Sequence, residues 1–126
     1  MFVGYIVHHD LTVFFGIDHA RTLAIICPSH YRYNFESKKA KLAQCAERVF
    51  GIHSGSIEEK ATACIQQFEL FFHKLGIPTR LSAYTDDYLG TAERIEARFT
   101  ERGLLGIGEH RNITPVDVRQ IVSMSY

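Results

Sequence analysis

Apolar residues recur at three- and four-residue steps between residues 56 and 75, the spacing that places side chains along one face of an α-helix. The members of this stripe are Ile57, Ala61, Cys64, Ile65, Phe68, Phe71, Phe72 and Leu75. Ser56 with Glu59 three residues later has the pattern of a capping box, and Gly76 followed by Pro78 is a typical helix stop. The pattern therefore predicts an amphipathic helix whose apolar stripe faces a core.

The same signals predict three further helices. Residues 36–50 carry an apolar stripe that ends at Gly51, and Thr114 followed by Pro115 marks the start of a C-terminal helix. The segment 91–101 is more polar, and we expect an exposed helix there. The core-facing residues predicted for the first and last of these helices are Leu42, Ala46, Val49, Phe50, Val116, Val118, Ile121 and Val122.

The beginning of the chain is ambiguous. The apolar run at residues 6–15 fits either a strand or a helix, and Gly16-Ile17-Asp18 breaks it. Asp18 is placed to cap a second apolar run, which passes Pro28 and continues to Tyr33. No segment alternates convincingly with the period of two that a strand requires. The sequence thus predicts an all-α fold, a single helical-bundle domain of five or six helices over residues 1–126.

Composition narrows the possible partners. The chain has 14 basic and 14 acidic residues, so it lacks the basic excess that binding to nucleic acid or to an anionic membrane requires. No stretch approaches the roughly 18–20 apolar residues of a membrane span. The three cysteines are an odd number without CxxC spacing, a pattern that favours buried, reduced thiols in a cytoplasmic protein. We therefore expect no nucleic-acid or membrane partner and a cytoplasmic location.

Few residues qualify as candidates for chemistry. A glycine-rich phosphate loop, a GxSxG elbow, an HExxH pair and a Cys/His zinc cluster are all missing from the sequence. His8, His9 and His19 are the more interesting histidines, because they flank a glycine turn that can fold the two sides together. These three histidines could form part of a metal or catalytic site. The alternative for His19 is that it only makes local hydrogen bonds at the start of a helix. The other four are predicted to be solvated (His53, His73 and His110) or a partly buried packing residue (His30).

A longer pattern points to a family. The stretch His9-Asp10-Leu11-Thr12-Val13-Phe14-Phe15-Gly16-Ile17-Asp18-His19-Ala20-Arg21-Thr22-Leu23-Ala24-Ile25, followed by Pro28 and Arg32-Tyr33-Asn34, resembles the iron-containing (group III) alcohol dehydrogenases. The similarity is closest to their NADPH-preferring alcohol/aldehyde reductase and butanol dehydrogenase branch. It continues through residues 39–42, 46–49, 72–82, 108–110 and 113–114, and so covers nearly the whole chain.

The resemblance implies a fold and a site. Enzymes of this family have an N-terminal dinucleotide-binding domain and a helical C-terminal domain, and only the second corresponds to this chain. They hold Fe²⁺ or Zn²⁺ with one aspartate and three histidines, and they use NAD(P). The last metal-ligating histidine matches His19, whereas the ligand position fourteen residues earlier is occupied here by Tyr5. A further family histidine, close to the nicotinamide, matches His9, which we therefore name as the candidate catalytic residue.

The resemblance also sets expectations for activity. In the complete enzymes the metal polarises the alcohol or aldehyde oxygen for hydride transfer. This chain has one of four expected ligands and no dinucleotide-binding domain, so we expect the isolated chain to be inactive and to bind no metal or cofactor firmly. One alternative is a non-enzymatic helical module that forms a homo-oligomer or binds a partner through an apolar surface around Phe14 and Phe15. This apolar surface also includes Phe2, Ile6 and Val7. Another alternative is a metal-binding protein that uses His8, His9 and His19 with Asp10 or Asp18.

Overall fold

The computed structural model describes the backbone of residues 3–104, 106 and 113–126, and within these ranges it describes the side chains from residue 9 onward. This part of the chain forms six α-helices, which confirms the predicted all-α class. The helices are α1 (Val3–Phe15), α2 (His19–Tyr33), α3 (Phe35–Phe50), α4 (Ile57–Lys74), α5 (Thr91–Glu101) and α6 (Pro115–Ser123). A short 3₁₀ turn at Leu81–Ala83 lies in the connection between α4 and α5.

The helix ends follow local sequence signals. The Ser56 hydroxyl accepts a hydrogen bond from the Glu59 N–H at 3.2 Å, and so caps α4. At α6 the Thr114 hydroxyl accepts from the Asp117 N–H while the Asp117 carboxylate accepts from the Thr114 N–H, a complete capping box. Gly51 ends α3 in the left-handed conformation, with φ of 67°, which is accessible at little cost only to glycine. Each of these three ends was predicted from the sequence to within about two residues, the usual uncertainty of a helix boundary.

The ambiguous N-terminal segment is a helix. Its apolar run forms α1, and Gly16, at φ of 69°, makes the turn that brings α2 back to pack against α1. Proline removes one backbone hydrogen bond from helix α2. The helix nevertheless continues through Pro28 to Tyr33, because the buried packing on both sides of the proline holds it together.

The buried residues form two apolar clusters. The larger one, the main core, is built from α1, α2, α5, α6 and the 3₁₀ turn, and the smaller one, the second core, from α3 and α4. The main core contains Leu11, Ile17, Ile25, Ile26, Leu81, Ala92, Ile95, Phe99, Ile113, Val118, Ile121 and Val122. Helix α2 contributes to both, since Tyr31 packs against the second core. The fold therefore consists of two packed groups of helices that share α2.

Burial corrects the sequence prediction in two directions. Helix α5 was predicted to be exposed, yet it buries Ala92, Ile95 and Phe99. Conversely, five residues assigned to core-facing stripes are exposed: Val49, Ile57, Phe71, Leu75 and Val116. In α4 the reason is that the helix packs mainly against α3 and α2, which bury Ala61, Cys64 and Ile65 and leave Ile57 and Phe71 exposed. Among the described helices, none has the length and apolar character that crossing a bilayer requires.

Candidate functional site

His9 lies in the middle of α1, next to a buried carboxylate. The His9 side chain is exposed, whereas that of Asp10 is 1% exposed. Helical geometry places the two side chains about 100° apart around the helix, so that His9 faces outward while Asp10 faces the core. The interactions that hold the Asp10 side chain in the core therefore also fix the position of His9 on the outer side of α1.

Asp10 is held by two arginines of α5 and the turn that follows it. The Arg98 Nε donates to Asp10 Oδ1 at 2.9 Å, and an Arg102 guanidinium nitrogen lies 3.6 Å from the same oxygen. Asp10 Oδ2 is buried and has no hydrogen-bond partner within the described part of the chain. The Arg98 and Arg94 guanidiniums also lie over the Phe14 ring, at 5.3 and 4.0 Å from its centroid. This link between α1 and α5 was not predicted, because nothing in the sequence pairs residues 88 positions apart.

His19 is the first residue of α2, just after the glycine turn. The preceding residue, Asp18, caps the helix by accepting a hydrogen bond from the Arg21 N–H at 3.0 Å, and its other oxygen pairs with the Arg21 guanidinium. The hydrogen bond from the Arg21 backbone, the largest contribution, holds the pKa of Asp18 below its ordinary value. The His19 side chain is exposed, and its carbonyl accepts from the Thr22 hydroxyl at 2.8 Å. The turn thus presents the His19 imidazole at the surface, at the N-terminus of a helix.

The described residues do not fit a metal ion by themselves. Nowhere among them do three His, Cys, Asp or Glu side chains come close enough together to hold one. A protein site with high affinity for iron or zinc needs at least three such ligands. Asp10 and Asp18, the acidic groups of the histidine-based alternative, are both engaged by arginines. The side chains of Tyr5 and His8 lie outside the described residues. We therefore derive no metal-dependent step from this chain alone.

The remaining histidines mostly match their predicted surroundings. His53 is exposed in the loop before α4, and the exposed His73 lies with Nε2 at 3.1 Å from the Thr79 hydroxyl. His110 lies outside the described residues. His30 is more deeply buried than predicted, at 4% exposure. Burial, helped by the charge of Lys38, lowers the pKa of His30 to about 4.

Because His30 is buried in its neutral form, we expect acid to destabilise the fold through it. The Asn34 side-chain nitrogen lies 3.3 Å from His30 Nδ1, which accepts a hydrogen bond in the neutral ring. The unfolded chain takes up a proton near pH 6.5 and the folded chain only near pH 4, so the contribution to stability is complete above pH 6.5 and is lost as the pH falls towards 4. Between pH 7 and pH 5 the loss should be about 2 kcal/mol. Urea unfolding at both pH values measures it.

The control for this prediction is His30→Gln, which removes the titrating ring. The variant should be less stable than the wild type at pH 7, but its free energy of unfolding should fall less between pH 7 and pH 5. Equal losses in the two proteins would show that the carboxylates, and not His30, account for the acid sensitivity.

The chain is similar in sequence to a known family of proteins. Residues 3–126 match the C-terminal part of the Fe-containing alcohol dehydrogenase family. The NADPH-dependent aldehyde reductase YqhD of Escherichia coli is 41% identical over 106 residues, which are 84% of this chain and 27% of that protein. A probable NADH-dependent butanol dehydrogenase of Bacillus subtilis is 30% identical over 124 residues, which are 94% of this chain and 30% of that protein.

Similarity in structure is equally extensive. The substrate- and cofactor-free form of the E. coli aldehyde reductase YqhD superposes with a TM-score of 0.92 at 36% sequence identity. The match covers 98% of this chain and 32% of the other. The chain thus spans about a third of the solved relative, or less of the curated ones, and its similarity is confined to their C-terminal helical part.

Proposed function

Since this chain belongs to the iron-containing alcohol dehydrogenase family, whose C-terminal domain it matches, we propose that it supplies the helical half of a metal-dependent, NAD(P)-linked alcohol or aldehyde oxidoreductase. In this proposal His19 is a ligand of the metal, and His9 is the catalytic histidine beside the nicotinamide. The observation that carries it is the collinear match of nearly the whole chain to an aldehyde reductase, in sequence and in fold.

The positions of the two histidines support these roles. Both side chains are exposed, on two helices that pack against each other and are joined by the short turn at residues 16–18. An exposed imidazole can be reached by a group from another domain, as a shared metal site requires. The carboxylate of Asp18, the acidic residue next to His19, is engaged by Arg21.

Nowhere in the described part of the chain do three metal ligands come together, and this supports our proposal that the chain is inactive alone. His19 is one imidazole, the position of a second ligand holds Tyr5, and a neutral phenol is a poor ligand for Fe²⁺ or Zn²⁺. When bound, the metal would act as a Lewis acid on the oxygen of a small alcohol or aldehyde. That chemistry requires ligands and a dinucleotide-binding domain from outside these 126 residues. The relatives of this chain include enzymes named as NADPH-dependent and enzymes named as NADH-dependent.

A chimera tests this proposal. We would join the N-terminal part of the E. coli aldehyde reductase, up to the start of the matched region, to this chain. With Tyr5→His the chimera should bind stoichiometric metal and oxidise NADPH with a short aldehyde. His19→Ala in that protein should lower kcat/KM at least about 100-fold, since even partners of ligands are worth 10–100-fold. His53→Ala, at an exposed loop position, should leave activity unchanged.

Two further arms make the result decisive. The 126-residue chain alone, with added Fe²⁺ or Zn²⁺, should show no turnover, and the chimera that keeps Tyr5 should be much less active than the one with Tyr5→His. Robust turnover by the isolated chain, or an active chimera insensitive to His19→Ala, would contradict the proposed roles.

Self-association is a second candidate function, and one observation favours it. Helix α4 carries Leu70, Phe71 and Leu75 exposed to half or more of their surface. Phe14 and Phe15 are half-buried against the main core, and the side chains of Phe2, Ile6 and Val7 lie outside the described residues. Exposed apolar side chains of this number favour association with another surface. Whether the chain forms a homo-oligomer stays a prediction.

A further inference from the structure

Helix α4 has an outer face that points away from the second core. Leu70 lies nine residues after the buried Ala61, which is half a turn around the helix axis, so it is on the opposite side of the helix. Its side chain is 50% exposed. Five positions of this face alternate in spacing between four and three residues, as in a coiled-coil contact, and we call them the α4 seam: Glu59, Ala63, Gln66, Leu70 and His73.

The N-terminal half of the α4 seam contains a depression in the surface. The depression has a volume of about 330 Å³ and is lined by Glu58, Glu59, Thr62, Ala63 and Gln66. The last four of these residues have the spacing i, i+3, i+4 and i+7, which forms the hole that receives one side chain of a facing helix. The C-terminal half of the same seam carries an exposed apolar side chain, that of Leu70. One helix therefore presents both a hole and a side chain able to fill one.

The α4 seam is complementary to itself when a second copy of the helix runs antiparallel to it. A two-fold axis at Gln66 places Leu70 of each copy, four residues after the axis, opposite Thr62 of the other copy, four residues before it. Leu70 then lies over the hole. The two Gln66 amides meet at the axis, where each can donate one hydrogen bond and accept another. In shape and in hydrogen bonding, the face that best fits the α4 seam is the same seam reversed.

Charge selects the antiparallel orientation. The first turn of α4 is acidic, with Glu58 and Glu59, and its last turn is basic, with His73 and Lys74. Glu58 is paired with Lys39 of α3 at 3.2 Å, so we assign the contact at the seam to Glu59. In an antiparallel pair Glu59 of each copy lies opposite the basic end of the other, whereas a parallel pair would bring like charges together at both ends.

We propose that the α4 seam is an interaction surface for a second copy of this chain, bound antiparallel about a two-fold axis at Gln66. The inference rests on self-association, the second candidate function above, and adds the surface and the register of the contact. It involves neither His9 nor His19. Because each copy contributes one helix, the interface is small, and we expect a dimer with a dissociation constant between about 1 µM and about 1 mM.

Sedimentation equilibrium of the 126-residue chain over this concentration range tests the surface. The mean mass of the wild type should rise from that of one chain towards that of two. Leu70→Glu brings a carboxylate to the acidic hole of the other copy and should weaken association at least about 30-fold. Leu89→Glu is the matched control, the same change at a leucine that is 74% exposed before α5, and should leave association unchanged. Circular dichroism confirms that each variant is folded.

Exchange of charges tests the register. Glu59→Lys and Lys74→Glu each place like charges opposite one another at both ends of an antiparallel dimer, and each should weaken self-association roughly 10-fold. A mixture of the two variants should associate about as well as the wild type, because each end of the mixed dimer again joins a lysine to a glutamate. In a parallel dimer neither single change would weaken association, since the wild type would already have like charges at both ends.

Failure of the surface and failure of self-association give different results. A wild type that stays monomeric up to about 1 mM would contradict both the second candidate function and this inference. A dimer that keeps its affinity in Leu70→Glu, or in both charge variants, would overturn the α4 seam and leave self-association standing. The same conclusion would follow if the mixture of Glu59→Lys and Lys74→Glu associated no better than either variant alone.

Discussion

Phe99→Ala should lower the free energy of unfolding by about 4 kcal/mol. Phe99 is completely buried on α5 and belongs to the main core, which also draws on α1, α2 and α6. Its removal deletes a large apolar surface and leaves a cavity that helices held on several sides cannot close. A domain of this size has a total stability of roughly 5–15 kcal/mol, so the loss should be plain in urea unfolding followed by circular dichroism.

Phe71→Ala is the matched control for this experiment. The chemical change is the same, but Phe71 on α4 is 53% exposed, so much less apolar surface returns to water. We expect a loss of about 1 kcal/mol or less at a protein concentration where the chain is monomeric. Similar losses for the two variants would mean that α5 does not contribute to the main core as the structure describes.

The helix ends could be predicted from the sequence because capping is local. A cap joins a side-chain oxygen to an N–H three residues later, so Ser56 with Glu59 and Thr114 with Asp117 carry the whole interaction in one short segment. The same holds for Gly51, whose left-handed backbone is needed at the end of α3. These signals do not depend on which helix packs against which.

Burial could not be predicted equally well, because it depends on the neighbours of each helix. The apolar stripe of α5 is narrow, and charged residues surround Ile95 and Phe99 in sequence, so the segment has the composition of an exposed helix. The wide stripe of α4 has the opposite outcome: its two neighbours cover only part of it, and Leu75 is left exposed. The period of a sequence gives the direction of a helix face, not how much of that face another helix covers.

The candidate site shows the same division. The glycine turn singles out His9 and His19 among the histidines, but only the resemblance to a family gives them roles, since a histidine next to a turn has no chemical signature of its own. The pairing of Asp10 with Arg98 is tertiary, since it joins residues of two different helices. Several arginines were available to Asp10 in the sequence, and only the packing of α1 near α5 selects among them.

Arg98→Met should lower the free energy of unfolding by about 3 kcal/mol, because it leaves the Asp10 carboxylate buried with reduced compensation. Methionine keeps an apolar stem of similar length beneath the surface, so the change removes mainly the charge and the 2.9 Å hydrogen bond. Arg102, at 3.6 Å and more exposed, compensates only in part. Asp10→Asn should cost less, about 1–2 kcal/mol, since the partly exposed Arg98 can then be hydrated.

The double variant decides whether the buried charge is the cause. If it is, adding Asp10→Asn to Arg98→Met should recover part of the lost stability, because it removes the carboxylate that Arg98 no longer neutralises. Arg21→Met is the matched control: it breaks the pair with Asp18, which is half-exposed on both sides, and should cost about 1 kcal/mol or less. Urea unfolding of the four proteins and the wild type gives all the differences. Additive losses in the double variant would show that Asp10 and Arg98 stabilise the fold independently, and that the buried pair does not couple α1 to α5.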